Sequence, residues 1–384
     1  MDIRHAQQIL ASAAADAAAA EPSSRAAPAR AAMPCFAQCR HDSALVRIWL
    51  ELEATGSLPT QSFAFAAALA DTLLAETEFG IAAASGPGGV TALLPLCRGA
   101  GRLDRWRLAG ADEVFEPGDA LFRDQAAVTA LAESLARLSR PLDLDRIPSA
   151  SPLIPALRAA MRGRGLVAVR PARASPTIAL DEGWKSPESQ FNSGRRSDFR
   201  RAARRAAEEG TLGFEMLSPG PEEFDALFDE AIAVELRSWK REAGTAILSA
   251  PAKERFFRTW FRAASAAGTL RIAFLRIGGK VVAMQLALET LGRYWLFKIG
   301  FDEDHARCSP GNLLMLETIG WAARRGLASF ELLGDVEPWI ATFWTRAEHE
   351  CVRVRTYPFG PRGAAALVGD ASIWLRRRMA RARV

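Results

Sequence analysis

The chain has 384 residues with 49 Lys and Arg against 44 Asp and Glu, a formal charge of +5. Arg376, Arg377, Arg378, Arg381 and Arg383 close the chain with no acid among residues 376–384, so the rest is neutral and a generally basic nucleic-acid binder is excluded, DNA as a partner with it. With 49% hydrophobic residues there is core for about two domains, disorder throughout is excluded, and no apolar run approaches the ~20 residues of a membrane helix.

Residues 1–40 are alanine-rich with Pro22, Pro28 and Pro34, and read as a disordered leader. Asp2 and Asp16 sit where a secretion signal needs a positive start and an unbroken apolar core, so the cytoplasm is the expected compartment. Cys35, Cys39, Cys97, Cys308 and Cys351 are too scattered for a disulfide framework. Cys35, Cys39 and His41 lack a fourth ligand, so no metal is expected.

From Ser43 the pattern is globular. Two amphipathic helices lead to a hairpin of residues 79–84 and 90–96, followed by a helix over 126–138, a strand over 142–147, a helix over 152–162 and a strand over 165–170. A Pro- and Ser-rich connecting strand and loop, 171–193, precedes a helix whose Arg200, Arg201, Arg204 and Arg205 share one face and whose Phe199, Ala203 and Ala206 share the other. A strand over 212–217, helices over 221–242 and 251–267 and three strands across 270–302 follow. A loop then feeds a helix stopping at Gly326, a strand over 328–334, a short aromatic helix over 338–344 and a strand over 351–358. The fold class is α/β (α+β), one element order occurring twice.

This order resembles the GNAT acyltransferase fold. Residues 194–358 are similar to the acetyltransferase domain of proteins linked to cellulose and exopolysaccharide biosynthesis, related to Fem-type aminoacyltransferases with two such domains in tandem. FRRAARRAAEEG, Trp239-Lys240, GGKVVAMQLAL, GFDEDHARCSPGNLL and FELLGDVEPW carry the likeness. It implies tandem GNAT-like domains, each a mixed, mainly antiparallel sheet flanked by helices: a degenerate first domain at 41–180, a second at 181–360, and a basic amphipathic tail at 361–384.

Ser309-Pro310-Gly311-Asn312 supplies a hydroxyl cap, a first-turn proline and a glycine at a helix start, where free amides and the positive dipole end favour an anion. The resemblance implies that this anion is the pyrophosphate of an acyl-CoA, acetyl-CoA as co-substrate, with Arg307, Ser309, Gly311 and Asn312 as its binding residues. Lys298, amid apolar strand residues, is a candidate for stabilising an oxyanion. Glu331, interrupting an apolar strand, and Asp335 beyond it are the carboxylate candidates for acid–base work, while His305 and His349 read as surface groups. Trp239, Lys240, Trp339 and Trp344 are assigned to the acceptor, placed between the domains. Two departures from the family stand out. Trp339-Ile340 replaces a usual Tyr-Lys, and neither Tyr294 nor Tyr357 falls where a thiolate-protonating tyrosine is expected.

The expected function is an acyl-CoA-dependent N- or O-acetyltransferase acting on a sugar or small metabolite, in exopolysaccharide or cellulose synthesis. The alternatives are a Fem-like aminoacyltransferase, with Arg195–Arg205 holding tRNA phosphates, and a non-catalytic binding module; tRNA is the less favoured partner. For the tail, Ile373, Trp374 and Leu375 beside its arginines predict weak contact with an anionic membrane surface.

Overall fold

Alternating apolar residues become two seven-stranded sheets. The computed structural model describes residues 33–86, 89–98, 105–238, 247 and 250–381. They divide into a first unit, running up to Ala174 and resuming at Glu350, and a second, Ser175–His349.

In the first unit, α1 (Ser43–Glu53) starts at Asp42, whose Oδ1 accepts from Ala44 N–H at 2.8 Å, and α2 (Phe63–Asp71) starts at Ser62. The hairpin β1 (Glu78–Gly86) and β2 (Gly89–Arg98) follows, then β3 (Trp106–Leu108), β4 (Leu121–Phe122), α3 (Gln125–Arg137), β5 (Leu142–Pro148), α4 (Leu153–Ala160) and β6 (Gly165–Pro171). Residues 33–40 depart from the disordered leader expected to reach residue 40. Phe36 is fully buried, stacked on Phe79 at 4.7 Å and edge-on to Trp49 at 5.8 Å, because one aromatic anchor outweighs the alanine-rich composition around it. Residues 1–32 lie outside the described residues.

The second unit runs β7 (Ser175–Ala179), α5 (Ser193–Glu209), β8 (Leu212–Leu217), α6 (Phe224–Leu236), α7 (Pro251–Ala266), β9 (Leu270–Ile277), β10 (Lys280–Thr290), β11 (Arg293–Phe301), α8 (Pro310–Arg324), β12 (Ser329–Glu331), α9 (Pro338–Phe343) and β13 (Glu348–His349). Its sheet order is β13-β7-β12-β11-β10-β9-β8, antiparallel in most pairs but parallel between β11 and β12. Residues of α5 and α8 pack on one face, and α7 covers the other, where Trp260 meets Phe297 edge-on at 4.7 Å. The buried face of α5 is Phe199, Ala202 and Ala206, with Ala203 partly buried against the same core.

The remaining elements are β14 (Cys351–Pro358) and α10 (Pro361–Arg381). The pattern places residues 351–358 as the last strand of a second domain ending at 360, yet β14 pairs antiparallel with β5 and β6 in the first sheet, ordered β1-β2-β3-β5-β14-β6. Charge complementarity holds it there, since Arg353 reaches both oxygens of Asp143 at 2.6 and 2.7 Å and Arg355 reaches it at 3.1 Å. Beside β12 stands β7 instead, from the segment expected to be a connecting strand and loop. α10 also belongs to the first unit, because Asp370 binds Tyr357 Oη at 2.7 Å, Arg105 at 2.8 Å and Arg355 at 3.0 Å. Farther along it Ile373, Trp374, Leu375 and Met379 are about half exposed. No described helix is long and apolar enough to cross a membrane.

Candidate functional site

Where β11 ends, Asp302 is buried and carries the turn into α8. Its carboxylate pairs with Arg237 at 2.7 Å and Lys280 at 2.9 Å and caps Asp304 N–H at 3.2 Å; together these outweigh its desolvation and hold its pKa below the ordinary value. The loop Glu303–Cys308 then delivers Ser309 in the left-handed region, φ 47° and ψ 50°, a costly conformation for a residue with a Cβ. For that reason Ser309 makes no hydroxyl cap, since capping needs an extended residue that aims its oxygen at the first turn. Asn312 and Leu313 N–H turn back to the Ser309 carbonyl at 3.0 and 3.2 Å, leaving Gly311 N–H without a backbone acceptor among the described residues. A Cβ on Gly311 would lie 3.2 Å from Phe301, so glycine keeps this amide approachable.

Arg307, a phosphate candidate from the sequence, is engaged. Its Nε lies 2.6 Å from Glu209 Oε1, at the end of α5, and Glu209 also meets His305 Nδ1 at 2.6 Å and accepts from the Cys308 thiol at 3.2 Å. The bonds from Arg307, His305 and Cys308 hold the Glu209 carboxyl at about 2, while burial and the same carboxylate push the Cys308 thiol up. Arg205 donates to the Arg307 carbonyl at 3.1 Å, which joins the basic face of α5 to the loop. Glu209 escaped sequence reading because nothing marks one glutamate in an AAEEG helix end.

The second part of the site is a break in the sheet. The β10–β11 register shifts between Leu286 and Ala287: Leu286 faces Lys298 and Ala287 faces Leu296, so Phe297 is a bulge. β11 pairs with β12 at only three positions, ending at Trp295 opposite Glu331, and β11 continues to Phe301 paired with β10. Residues 296–301 therefore lie beyond the β11–β12 ladder. Lys298 stands on the α7 face, its Nζ 4.4 Å from the Phe257 ring centre.

Glu331 is buried at the last paired position. Ser329 Oγ donates to its Oε1 at 2.5 Å, Arg293 donates to the same oxygen at 3.1 Å, and His349 Nε2 lies 2.9 Å from Oε2. Burial raises the Glu331 pKa, but the His349 and Ser329 contacts win and hold it below the ordinary carboxylate value. Glu331 thus sits at the centre of a cluster with Ser329, Arg293 and His349. The exposed partner is His349, 47% accessible and oriented by the buried carboxylate. No local signal in the sequence pairs residues 18 apart.

Of the remaining candidates, Asp335 follows a left-handed turn at Leu333 and Gly334 and is half-buried. Trp339 Nε1 donates to Glu337 at 2.5 Å. Trp344, expected to contact the acceptor, is a core residue 7% exposed and edge-on to Phe191 at 5.7 Å; aromatic clustering alone does not separate core from groove. Trp239 and Lys240 lie outside the described residues. Tyr294 is fully buried against Phe330 at 4.6 Å, and burial pushes its hydroxyl far up, so it is no acid for a leaving thiolate.

Residues 193–339 match the family model of the acetyltransferase (GNAT) domain. No curated protein matches the chain. Among solved structures, FemX is 10% identical with a TM-score of 0.53, over 82% of this chain and 96% of its own. The C-terminal domain of a putative lysylphosphatidylglycerol synthetase from Agrobacterium fabrum is 15% identical with a TM-score of 0.50, over 85% and 95%. A conserved protein of unknown function from Bacteroides thetaiotaomicron is 13% identical with a TM-score of 0.52, over 85% and 99%. Residues 193–339 carry the GNAT acetyltransferase fold, and the chain, with its two mixed sheets, shares the fold of these structures.

Proposed function

We propose that the protein is an acyltransferase that takes an acyl group, acetyl in the first instance, from an acyl-CoA to an amine or hydroxyl of a sugar or small metabolite. The observation that carries this reading is the bulged β11 parting from β12 beside the start of α8, where the Gly311 amide has no backbone acceptor among the described residues. The residues present fit such a donor. Gly311 N–H and the positive end of α8 suit a phosphate, and Arg307 and Arg205 supply cationic charge beside them.

The bound donor would supply the activated acyl group. Lys298 would neutralise charge building on the acyl oxygen. His349 would take the proton from the acceptor nitrogen or oxygen, and Glu331 would hold the ring in place. With Tyr294 sealed in the core, the departing thiolate would be protonated from water. Thermal unfolding with acetyl-CoA tests the reading: about 1 mM ligand should raise Tm, and Gly311→Trp should abolish the rise. No rise in the unmodified protein would overturn it.

A second reading has its own observation. Arg196, Arg200, Arg204 and Arg205 are exposed along α5 and lead to the Arg307 loop, a track suited to a polyanionic donor such as aminoacyl-tRNA in the Fem manner. Binding of tRNA that weakens steeply with salt and with Arg200→Ala would favour it. For α10, the half-exposed Ile373, Trp374, Leu375 and Met379 support the weak membrane-surface contact. Unchanged binding to anionic liposomes after deleting residues 371–384 would remove that proposal.

A further inference from the structure

The first unit contains a carboxylate that the transfer reaction does not use. Asp119 lies between β3 and β4, is 9% exposed, and borders a cavity of about 220 Å³ and a smaller one of about 20 Å³ behind it. Its Oδ1 accepts from Ser151 Oγ at 2.9 Å and from Ala120 N–H at 2.8 Å. Its Oδ2 accepts from none of the described residues, and no basic side chain among them pairs with it. A buried carboxylate left this way is normally offset by a counter-charge. Consistent with the lack of one, desolvation moves Asp119 up to about 6 against the pull of Ser151 and Ala120.

The cavity wall is built and held. Gln61, 6% exposed, donates through Nε2 to the Ala120 carbonyl at 2.7 Å and accepts Ser57 and Leu58 N–H on Oε1 at 2.8 and 2.9 Å. Trp49 Nε1 donates to the Gln61 carbonyl at 2.9 Å. Gly56 leaves no room for a side chain, since a Cβ there would be 3.0 Å from the Glu53 carbonyl and 3.1 Å from Gln61. Exposed Thr55, Ser57 and Ala150 form the mouth, Asp119 and Ser151 the polar floor, and Leu121 and Pro152 the apolar sides. One carboxylate and a few hydroxyls are too few oxygen ligands for a hard metal cation, whereas an ammonium needs one anionic oxygen and a short apolar wall.

We infer that the Asp119 cavity is a binding site for a small primary amine, its ammonium on Asp119 Oδ2 and its short carbon chain along Leu121 and Pro152. The site is independent of acyl transfer, so its test succeeds or fails separately. Titrating the full chain with n-butylamine at pH 7.5 by calorimetry should give saturable binding with Kd of about 1–10 mM, and 1-butanol, the same shape without charge, should bind at least about tenfold more weakly. Asp119→Asn should weaken n-butylamine binding by about tenfold or more. Ala150→Trp, which narrows the mouth from an exposed position, should do the same and decides the matter if the Asn variant does not fold. No saturable binding by about 50 mM, equal binding of 1-butanol, or undiminished binding in a folded variant overturns the inference.

Discussion

Glu331 in the second unit and Asp119 in the first are both buried carboxylates, and their acidities move in opposite directions. Glu331 meets Arg293, His349 and Ser329 and is held low. Asp119 meets a hydroxyl and one amide and rises to about 6. Burial pushes both the same way, so partners decide the sign. A fully paired carboxylate organises its neighbours, whereas one with a spare oxygen and a cavity is set to receive something.

Removing the Glu331 charge should have the largest effect. Glu331→Ala strands Arg293 and leaves a hole at a fully buried position, so unfolding free energy should fall by about 3–5 kcal/mol. Chemical denaturation measures this, and a loss under about 1 kcal/mol would mean that the cluster is not the anchor described. Its pH dependence follows in sign. With its folded pKa below its unfolded value, Glu331 contributes fully above the unfolded value, and the contribution is lost as pH falls through the folded one.

His349→Gln separates orientation from chemistry. Because His349 is half exposed, stability should change little, while kcat should fall about 100-fold with KM for acyl-CoA unchanged. An unchanged kcat would leave the pair a structural contact.

Asp119→Asn should stabilise the protein at pH 7.5 by about 2 kcal/mol, since the amide keeps the Ser151 contact without a buried charge. Here the sign is the reverse of Glu331. With a folded pKa of about 6 above an unfolded 3.8, the wild-type carboxyl favours the folded state at low pH and loses that as pH rises through about 6. The advantage of Asn should therefore shrink below pH 6 and be absent near pH 4; a pH-independent difference would contradict an uncompensated carboxylate.

The smallest effect is expected at Glu209. Glu209→Gln weakens its hold on Arg307 and His305, so KM for acyl-CoA should shift by about two- to fivefold while kcat stays. A dominant loss of kcat would place Glu209 in the chemistry instead.

Much of the fold was legible, because apolar periodicity and glycine turns are local. The meander β9–β10–β11 and the helix Pro310–Arg324 lie where Gly278-Gly279, Gly292, Pro310 and Gly326 punctuate the pattern. The site was legible as a neighbourhood, since Lys298, Gly311 and Glu331 border the sheet break, but not as a set of roles. Arg307 was read as a phosphate partner and also pairs with Glu209; Glu331 was read as an acid–base candidate and meets Ser329, Arg293 and His349; Trp344 was read as an acceptor contact and is core.

By itself, then, the sequence determined which segments are helices and strands and where an amide-presenting helix start follows a strand, because those depend on residues a few positions apart. Only the tertiary structure decided that β14 joins the first sheet while β7 flanks β12, that His349 rests on Glu331, and that Asp119 keeps an oxygen open to a cavity. Strand alternation says which face a residue takes and nothing of which edge a strand will pair with. The acidity of a carboxylate is set by groups that approach through space, and no spacing along the chain encodes their arrival.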